Sequence, residues 1–273
     1  MTPDLTAALR VDRRVRRRAA AEVVPLPGGL VVRHQELWDV HYLNALILDA
    51  GVHPPPTAAE VVARADRWLG NAGPAHHRHV VFDDAAAGER VAADLEGAGW
   101  ERRRTIFMVF AGDANAVGAD PRAREISDAE MEALQLAGLR EEVPEASVRS
   151  GLAERLALTQ RVLRAGTPAR CFGAGEGGSL QSMCTLFLDD DVDGRRVAML
   201  EEVGTLVDYR RRGLARGAVS AAIAAAVAWD AGLIVVPADA DDWPQVMYAG
   251  LGFAPVGRQV SVTRRDDSGG GGL

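Results

Sequence analysis

The sequence predicts an α/β (α+β) fold in which helices flank a sheet, built as two tandem copies. Runs of β-type residues alternate with helical periodicities along most of the 273-residue chain. That length exceeds one ordinary domain. A strand, a helix, a Gly-aromatic pair and a second strand follow one another from Val80 and again from Leu233, with Gly99 and Gly252 at the same offset. This internal repeat favours a duplication.

Local patterns predict the elements of the N-terminal half in order. Apolar residues at helical spacing indicate a helix over residues 34–49, and Thr57 with Glu60 forms a capping-box pattern that starts the next helix. The full series is a basic helix or arm within 1–22, a strand pair over 23–32 turned at 27–29, a helix over 34–49, a helix over 57–69, a strand at 80–82, a helix over 89–97 and a strand over 104–110. We assign 23–112 to the first copy.

The C-terminal half follows a stretch with neither helical nor strand periodicity, which we interpret as a linker over residues 113–126. Ser127 and Glu130 form a second capping-box pattern, which begins a domain over 127–264. Its expected elements are helices from 127 to about 165, strands over 169–173, 179–188, 196–207 and 233–238, a long helix over 213–230, a short helix near 244–250 and a strand over 254–263. The glycine-rich end, 265–273, is expected to be disordered.

Composition excludes several classes of protein. The net charge of −7 argues against a dedicated nucleic-acid binder, and no apolar run is long enough for a membrane span. All 31 basic residues are arginine. A Walker-type NTPase and a pyridoxal enzyme both need a lysine, so both are excluded. Cys171 and Cys184 are too few for a disulfide framework. We expect a soluble cytoplasmic protein that binds neither nucleic acid nor membrane.

The segment with the clearest chemistry is a strand, a tight turn and a helix over residues 199–230. The turn contains Arg210, Arg211 and Arg212 and ends at Gly213, where the helix begins. The first N–H groups of a helix lack intrahelical acceptors and carry partial positive charge, so a helix N-terminus binds anions well. Gly213 and Ala215 leave the backbone open to a phosphate. A solvated helix start is the alternative.

This turn resembles the acetyl-CoA signature of the GNAT acetyltransferase superfamily. Arg210-x-x-Gly213-x-Ala215 is similar to the family's (Gln/Arg)-x-x-Gly-x-(Gly/Ala), and residues 241–253 resemble the second half of its cofactor site. The departures from the family pattern are Val207 for a proline, Asp241 for an asparagine, Pro244 for an alanine and Met247 for a leucine. An ionised aspartate only accepts hydrogen bonds, so the Asp241 contact to the cofactor differs. The resemblance covers about half of the chain.

The resemblance implies a GNAT acyl-CoA N-acyltransferase fold, with a mixed, mostly antiparallel sheet flanked by helices. It implies that the backbone of Val203, Gly204 and Thr205 holds the acetyl-pantetheine arm and polarises the thioester. It further implies cofactor contacts from Arg210, Arg211, Arg212, Gly213, Leu214, Ala215, Arg216 and Asp241. No metal is implied.

The resemblance also implies catalytic residues. Tyr248 corresponds to the tyrosine that often protonates the departing thiolate, and a buried core tyrosine is the alternative. The general base would be Glu201, Glu202 or a water. An ideal strand points Glu201 to the side of Val203 and Thr205, and the bulge common in this strand of the family would swap the faces. Either glutamate could instead be a strand-edge charge.

Other candidate residues have simpler explanations. His76, His77 and His79 alternate in direction along a strand, and no cysteine or carboxylate joins them at metal-ligand spacing, so strand-edge histidines are favoured. Cys171 and Cys184 have no nearby histidine and do not suggest a nucleophile. His41, Tyr42 and Asn44 could line a pocket or simply pack on a helix.

The first copy lacks an Arg-x-x-Gly-x-Ala turn, so we do not expect it to bind acetyl-CoA. A silent half beside an active half resembles the layout of mycothiol synthase. The expected function is transfer of an acetyl group from acetyl-CoA, as co-substrate, to a primary amine of a small molecule or peptide by direct attack. The alternatives are a non-catalytic acetyl-CoA sensor or interaction module and a transferase of longer acyl groups. A monomer and a homodimer are both compatible with the sequence.

Overall fold

The computed structural model describes residues 1–70, 77–113, 117–142, 151–192 and 194–265. The glycine-rich tail and His76 therefore lie outside the described residues. The helices are α1 (Pro3–Ala19), α2 (Ala58–Leu69), α3 (Ala85–Asp94), α4 (Asp128–Glu142), α5 (Leu152–Gly166), α6 (Leu214–Ala228) and α7 (Pro244–Ala249). The strands are β1 (Glu22–Leu26), β2 (Gly29–Arg33), β3 (Ala45–Leu48), β4 (His77–Phe82), β5 (Trp100–Phe110), β6 (Ala123–Ile126), β7 (Ala169–Ala174), β8 (Ser182–Val192), β9 (Arg195–Thr205), β10 (Leu233–Asp239) and β11 (Phe253–Arg265).

The chain forms two compact units, each assembled from separate segments. The first unit contains Met1–Val15, Phe107–Ala238 and Asp242–Gly257. The second unit contains Arg16–Ile106, Asp239–Asp241 and residues 258–265 of β11. This division does not test the domain boundaries expected from the sequence, which remain a prediction.

The second unit is a sheet covered by α2 and α3. Strands β1, β2 and β3 are antiparallel, β3 and β4 are parallel, and β4 is antiparallel to residues 260–265 of β11. Every residue of β3 is buried, so both faces of this strand are covered. Its core joins Leu46, Val80 and Phe82 of the sheet to Val61 and Leu69 of α2.

The first unit is a sheet that holds α6 against one face. Strands β6 to β9 are antiparallel neighbours in chain order, and β10 pairs with β9 in parallel. Small residues let α6 lie close to the sheet: Ala218, Ala222 and Ala226 are all fully buried. A parallel pair needs a crossover connection, and α6 supplies it between β9 and β10.

The two halves of the chain repeat one order of elements. Three antiparallel strands are followed by a helix, a parallel strand, a helix and a strand, first as β1–β2–β3–α2–β4–α3–β5 and then as β7–β8–β9–α6–β10–α7–β11. This order confirms the mixed, mostly antiparallel sheet with flanking helices. It also extends the repeat that the sequence showed around Gly99 and Gly252.

The helix predicted over residues 34–49 is wrong. The segment forms two short 3₁₀ turns, Gln35–Leu37 and His41–Leu43, and then β3. Asn44 explains the turns, because its side-chain amide donates to the carbonyls of Leu37 (2.7 Å) and Val40 (3.0 Å) while its Oδ1 accepts the N–H of His34. A side chain that binds nearby backbone groups competes with helix formation.

Local signals predicted the helix starts well. Thr57 and Glu60 form the capping box of α2, and Ser127 and Glu130 exchange the same pair of hydrogen bonds ahead of α4. The arginine-rich segment is the helix α1, whose Val11 and Val15 are buried. Within the described residues, no helix has both the length and the apolar character required for a membrane span.

Candidate active site

The turn between β9 and α6 leaves an open helix N-terminus. Its backbone passes through a 3₁₀ turn at Val207–Tyr209 and left-handed conformations at Arg211 and Gly213, with φ of 63° and 80°. Gly213 is the N-cap of α6 and provides no side-chain cap, and the first intrahelical bond runs from Gly217 N–H to Gly213 O. The N–H groups of the first turn therefore have no intrahelical acceptor.

The equivalent helix of the other unit begins differently. At the N-terminus of α2, the Thr57 hydroxyl accepts the N–H of Glu60, and the Glu60 carboxylate accepts the N–H of Thr57. Two of the donors that could bind an anion are thus already satisfied by the chain itself. Only one of these two corresponding helices is available to a phosphate through its first turn.

Arg210, Arg212 and Arg216 bond to backbone carbonyls of the protein, whereas Arg211 faces the cavity. Arg212 directs its guanidinium to the carbonyl of Asp208 and to Glu176, while Arg216 donates to the carbonyl of Gly250 at 3.0 Å. Arg210 donates to the Thr205 carbonyl at 3.1 Å and pairs with Glu142. Arg211 is exposed and faces the cavity described below.

Sequence reasoning missed Arg122, which supports the turn from just before β6. Its guanidinium donates to the carbonyl of Arg212 at 3.2 Å and is itself held by Asp120 and Glu176 at 2.8 Å and 3.0 Å. The hydrogen bond from the Arg122 guanidinium lowers the pKa of Asp120. A lone arginine in an irregular stretch gave no sequence signal, because all its partners except Asp120 are distant in the chain.

The end of β9 offers an open backbone edge beside the turn. The parallel register pairs Leu233 with Val197, Ile234 with Ala198 and Val235 with Met199, and β9 continues beyond it to Thr205. Backbone groups along such an edge can pair with an extended ligand. Val203, Gly204 and Thr205 lie on this stretch, with the Thr205 hydroxyl bonded to that of Ser182 at 3.0 Å.

A β-bulge changes which glutamate of β9 faces inward. Thr185 pairs with Glu201, but Met183 pairs with Gly204, so β9 contains one extra residue at this point. Glu202 adopts the left-handed backbone conformation within the bulge, with φ of 56°. A bulge turns side chains to the opposite face from that of an ideal strand. The bulge that is common in this strand of the family is present here.

The Glu202 carboxylate is held in a buried set of donors. Its Oε2 accepts from Thr185 Oγ1 at 2.7 Å, from Arg164 Nη1 at 3.1 Å and from the amide of Gln135. Its Oε1 is buried and has no hydrogen-bond partner. Burial raises the pKa of Glu202, although the hydroxyl and the guanidinium act against that change. Glu202 lines the cavity and Glu201 does not.

Tyr248 lies on α7 with its ring packed edge-on to Phe253, at a centroid distance of 5.9 Å. The residue is 4% exposed and lines the cavity. Burial raises the pKa of Tyr248, and the nearby Cys184 and Glu201 add to that rise. Its hydroxyl therefore remains protonated at neutral pH and can donate a hydrogen bond.

These groups surround one cavity of about 1000 Å³ within the first unit. The predicted residues that line it are Glu202, Val203, Gly204, Thr205, Arg210, Arg211, Gly213, Leu214, Ala215, Arg216 and Tyr248. Further walls come from α4 and α5, including Gln135, Leu139, Leu156 and Gln160. The cavity thus joins an open helix N-terminus, a free strand edge, a buried carboxyl group and a protonated phenol.

Three predicted residues do not line this cavity. Glu201 and Arg212 are not among the residues that line it. Asp241 belongs to the second unit, where its carboxylate lies 3.4 Å from Arg104 and its N–H donates to Asp239. The aspartate in place of the family's asparagine therefore has a partner of its own.

The histidines of the second unit form a packed cluster. His41 lies 4.3 Å from His77 and 5.5 Å from His79 between ring centroids, His77 Nε2 is 3.2 Å from the carbonyl of Asn44, and His79 Nδ1 is 2.8 Å from the hydroxyl of Thr263. Among the described residues, no group of three or more His, Cys, Asp or Glu is arranged to hold a metal. Cys171 and Cys184 are buried free thiols.

A family model for the GNAT acetyltransferases matches residues 130–253, the segment that contains this cavity's turn, strand edge and tyrosine. Residues 130–253 are thus similar to the GNAT acetyltransferase family. No curated protein matches the sequence. This match supports acyl transfer as the chemistry of the segment.

Solved structures show that the GNAT fold extends over the whole chain. A GCN5-related N-acetyltransferase from Kribbella flavida is 20% identical, with a TM-score of 0.60, over 98% of each chain. A tandem GNAT protein of clavulanic acid biosynthesis is 16% identical, with a TM-score of 0.51, over 81% of this chain and 75% of that one. A Staphylococcus epidermidis protein of unknown function is 11% identical, with a TM-score of 0.66, over 89% and 93%. These likenesses confirm the predicted fold, and the likeness in layout to mycothiol synthase stays a prediction.

Proposed function

We propose that this protein transfers an acetyl group from acetyl-CoA to a primary amine. The observation that supports the proposal most directly is the uncapped N-terminus of α6, which opens into the same cavity as the free edge of β9, Glu202 and Tyr248. Acetyl-CoA would supply the acetyl thioester. Its pyrophosphate suits the first turn of α6, where N–H groups and the helix dipole favour an anion.

The chain's own groups can then perform the transfer. Backbone N–H groups of residues 203–205 would donate to the thioester oxygen, where negative charge develops during attack. Glu202 Oε1, which has no other partner, would accept the proton of the attacking amine directly or through a water. The Tyr248 hydroxyl would donate to the departing sulfur. Glu201 remains the other candidate base, although it lies outside the cavity lining.

The free thiols of Cys171 and Cys184 suit a reducing compartment, and we expect the protein to act in the cytoplasm. We expect one acceptor per active site, a small molecule or a peptide. The second unit's α2 is capped by Thr57 and Glu60, so we expect a single acetyl-CoA per chain.

The experiment is a thiol-release screen over small amines, amino acids, aminoglycosides and peptide N-termini, run beside calorimetry with acetyl-CoA. We expect one molecule of acetyl-CoA bound per chain and release of thiol that depends on an amine. Binding without turnover of any amine would instead favour an acetyl-CoA sensor. Absence of binding contradicts the proposal.

Tyr248→Phe separates an enzyme from a sensor on the same fold. The variant keeps the ring that packs on Phe253 and removes only the hydroxyl. Loss of a general acid typically costs 10²-fold or more, so we expect thiol release to fall by about 10²-fold. The dissociation constant of acetyl-CoA, measured by calorimetry, should stay within about twofold. Unchanged thiol release contradicts the role of Tyr248.

A further inference from the structure

Arg164 is the cation behind the catalytic carboxyl group. It comes from α5, near the helix's C-terminal end, and its side chain is 4% exposed. Its Nη1 donates to Glu202 Oε2 and to Gln135 Oε1, both at 3.1 Å. The Gln135 amide donates in turn to the same Glu202 oxygen, so arginine and glutamine close a small ring of hydrogen bonds around it.

The arrangement is asymmetric. Glu202 Oε2 receives all three donors, from Thr185, Arg164 and Gln135, while Oε1 is buried without one. The Nε and Nη2 atoms of Arg164 likewise have no hydrogen-bond partner, although Asp128 lies 3.5 Å from Nε. A buried ion pair with unsatisfied atoms stabilises a fold less well than an apolar pair of similar volume would. Its geometry suits a charge that must be held in one orientation.

We propose that Arg164, together with Gln135 and Thr185, is a positioning residue that fixes Glu202 Oε2 and directs Oε1 to the proton of the acceptor amine. This inference rests on the proposed acetyl transfer and adds residues that neither the acetyl-CoA turn nor β9 contains. Arg164 itself touches no substrate in this scheme, since the cavity is lined by Gln135 and Glu202 but not by Arg164.

Arg164 also opposes the effect of desolvation on the pKa of Glu202, together with Thr185 and Gln135. Two thiols lie near Glu202, on β7 and β8. Burial raises the pKa of Cys171 to about 12 and also raises the pKa of Cys184, so both remain neutral near pH 7. Asp128 contacts Arg164, and Glu201 lies next in the chain. Removing the Arg164 cation should therefore raise the pKa of Glu202 above its already elevated value.

The test is the pH profile of kcat/KM for thiol release, measured in the wild-type protein, Arg164→Met and Arg164→Lys. A base acts only when deprotonated, so activity rises with pH through its pKa. We expect the acidic limb of Arg164→Met to move upward by about 1 to 3 pH units, with most of the rate regained at high pH. Lysine should restore part of the shift. A uniform loss of rate at every pH would overturn the inference.

The matched control is Arg161→Met on the same helix. Arg161 is exposed and pairs with Glu132 at 3.3 Å, so its removal also deletes an arginine and an ion pair from α5. We expect its pH profile to coincide with that of the wild type. A shift equal to that of Arg164→Met would assign the effect to the helix as a whole and would contradict a specific role for Arg164.

A second measurement needs no turnover. Glutamate labelled with ¹³C at its side-chain carboxyl is titrated by NMR in the full chain, with Glu202→Gln to identify the Glu202 signal. We expect the midpoint of the Glu202 titration to rise in Arg164→Met. It should rise less in Thr185→Val, which removes a single 2.7 Å hydrogen bond and replaces the arginine variant if that variant does not fold. An unmoved midpoint overturns the inference. Absence of thiol release from the wild type with every amine would instead contradict the proposed function.

Discussion

At Arg211 and Gly213 the backbone adopts left-handed conformations, which leave the first turn of α6 facing the cavity. An L side chain tolerates this region poorly, and Arg211 accepts the strain because its neighbours hold it: Arg212 bonds to the Asp208 carbonyl and Arg122 to the Arg212 carbonyl. Gly213 carries no such penalty. The backbone conformations of these two residues therefore determine whether a phosphate can reach the N–H groups.

Gly213→Ala should weaken acetyl-CoA binding about tenfold, which corresponds to about 1.4 kcal/mol. An added Cβ finds Arg122 Nη2 at 3.6 Å, so the free protein has space for it, but the methyl group lies on the cavity lining at φ of 80°. Calorimetry with acetyl-CoA measures the effect. Gly97→Ala is the matched control, because Gly97 has φ of 79° and open space around it in the other unit. Equal affinity in all three proteins would contradict a phosphate at this turn.

At the scale of elements, the bulge in β9 and the support from Arg122 bring the site together. The bulge places Glu202 among Thr185, Gln135 and Arg164, three residues from three different elements. Arg122 joins the segment before β6 to the turn before α6. Neither contact is encoded by local sequence, so each depends on the fold being formed first.

Arg122→Met should raise the dissociation constant of acetyl-CoA about fivefold, since the turn loses the donor that fixes the Arg212 carbonyl. Arg124→Met is the control: Arg124 lies two residues further along, on β6, and pairs with Glu130 away from the turn. We expect its affinity to match that of the wild type. Identical binding by all three proteins would show that the turn keeps its shape without Arg122.

The sequence predicted what local chemistry determines. Capping boxes at Thr57 and Ser127 and the strands before α6 were found because each signal lies within a few residues. The segment 34–49 was misassigned because its apolar spacing fits a helix, while Asn44 and a fully buried β3 decide otherwise. Arg122 and Arg164 could not be found, because their partners lie far away along the chain.

At the scale of the whole molecule, stability should depend on pH through the buried histidines. Burial lowers the pKa of His41 to about 3, and it also lowers the pKa values of His77 and His79. The charged groups around them are Arg16, Asp39, Arg78, Arg103 and Arg265. A cluster held neutral and surrounded mainly by arginines resists protonation.

The free energy of unfolding should fall as pH drops below about 6.5, the ordinary histidine pKa. In that range the unfolded chain binds protons that the folded chain does not, so each such histidine costs about 1.4 kcal/mol per pH unit. Urea unfolding at pH 7.5 and pH 5.0 measures the loss. His79→Gln should reduce it, whereas replacement of the exposed His53 should not. Equal losses in the wild type and His79→Gln would contradict this account.

The path of the chain through the two units limits how the protein can be divided. Each unit consists of three segments that lie far apart in the sequence. No single proteolytic cut can therefore release either unit intact. A fragment that starts at residue 127 would lack α1 and the last residues of β5, and one that stops at Gly257 would lose the partner strand of β4. Cleaved or truncated forms should therefore lack parts of both units and should not be treated as isolated catalytic domains.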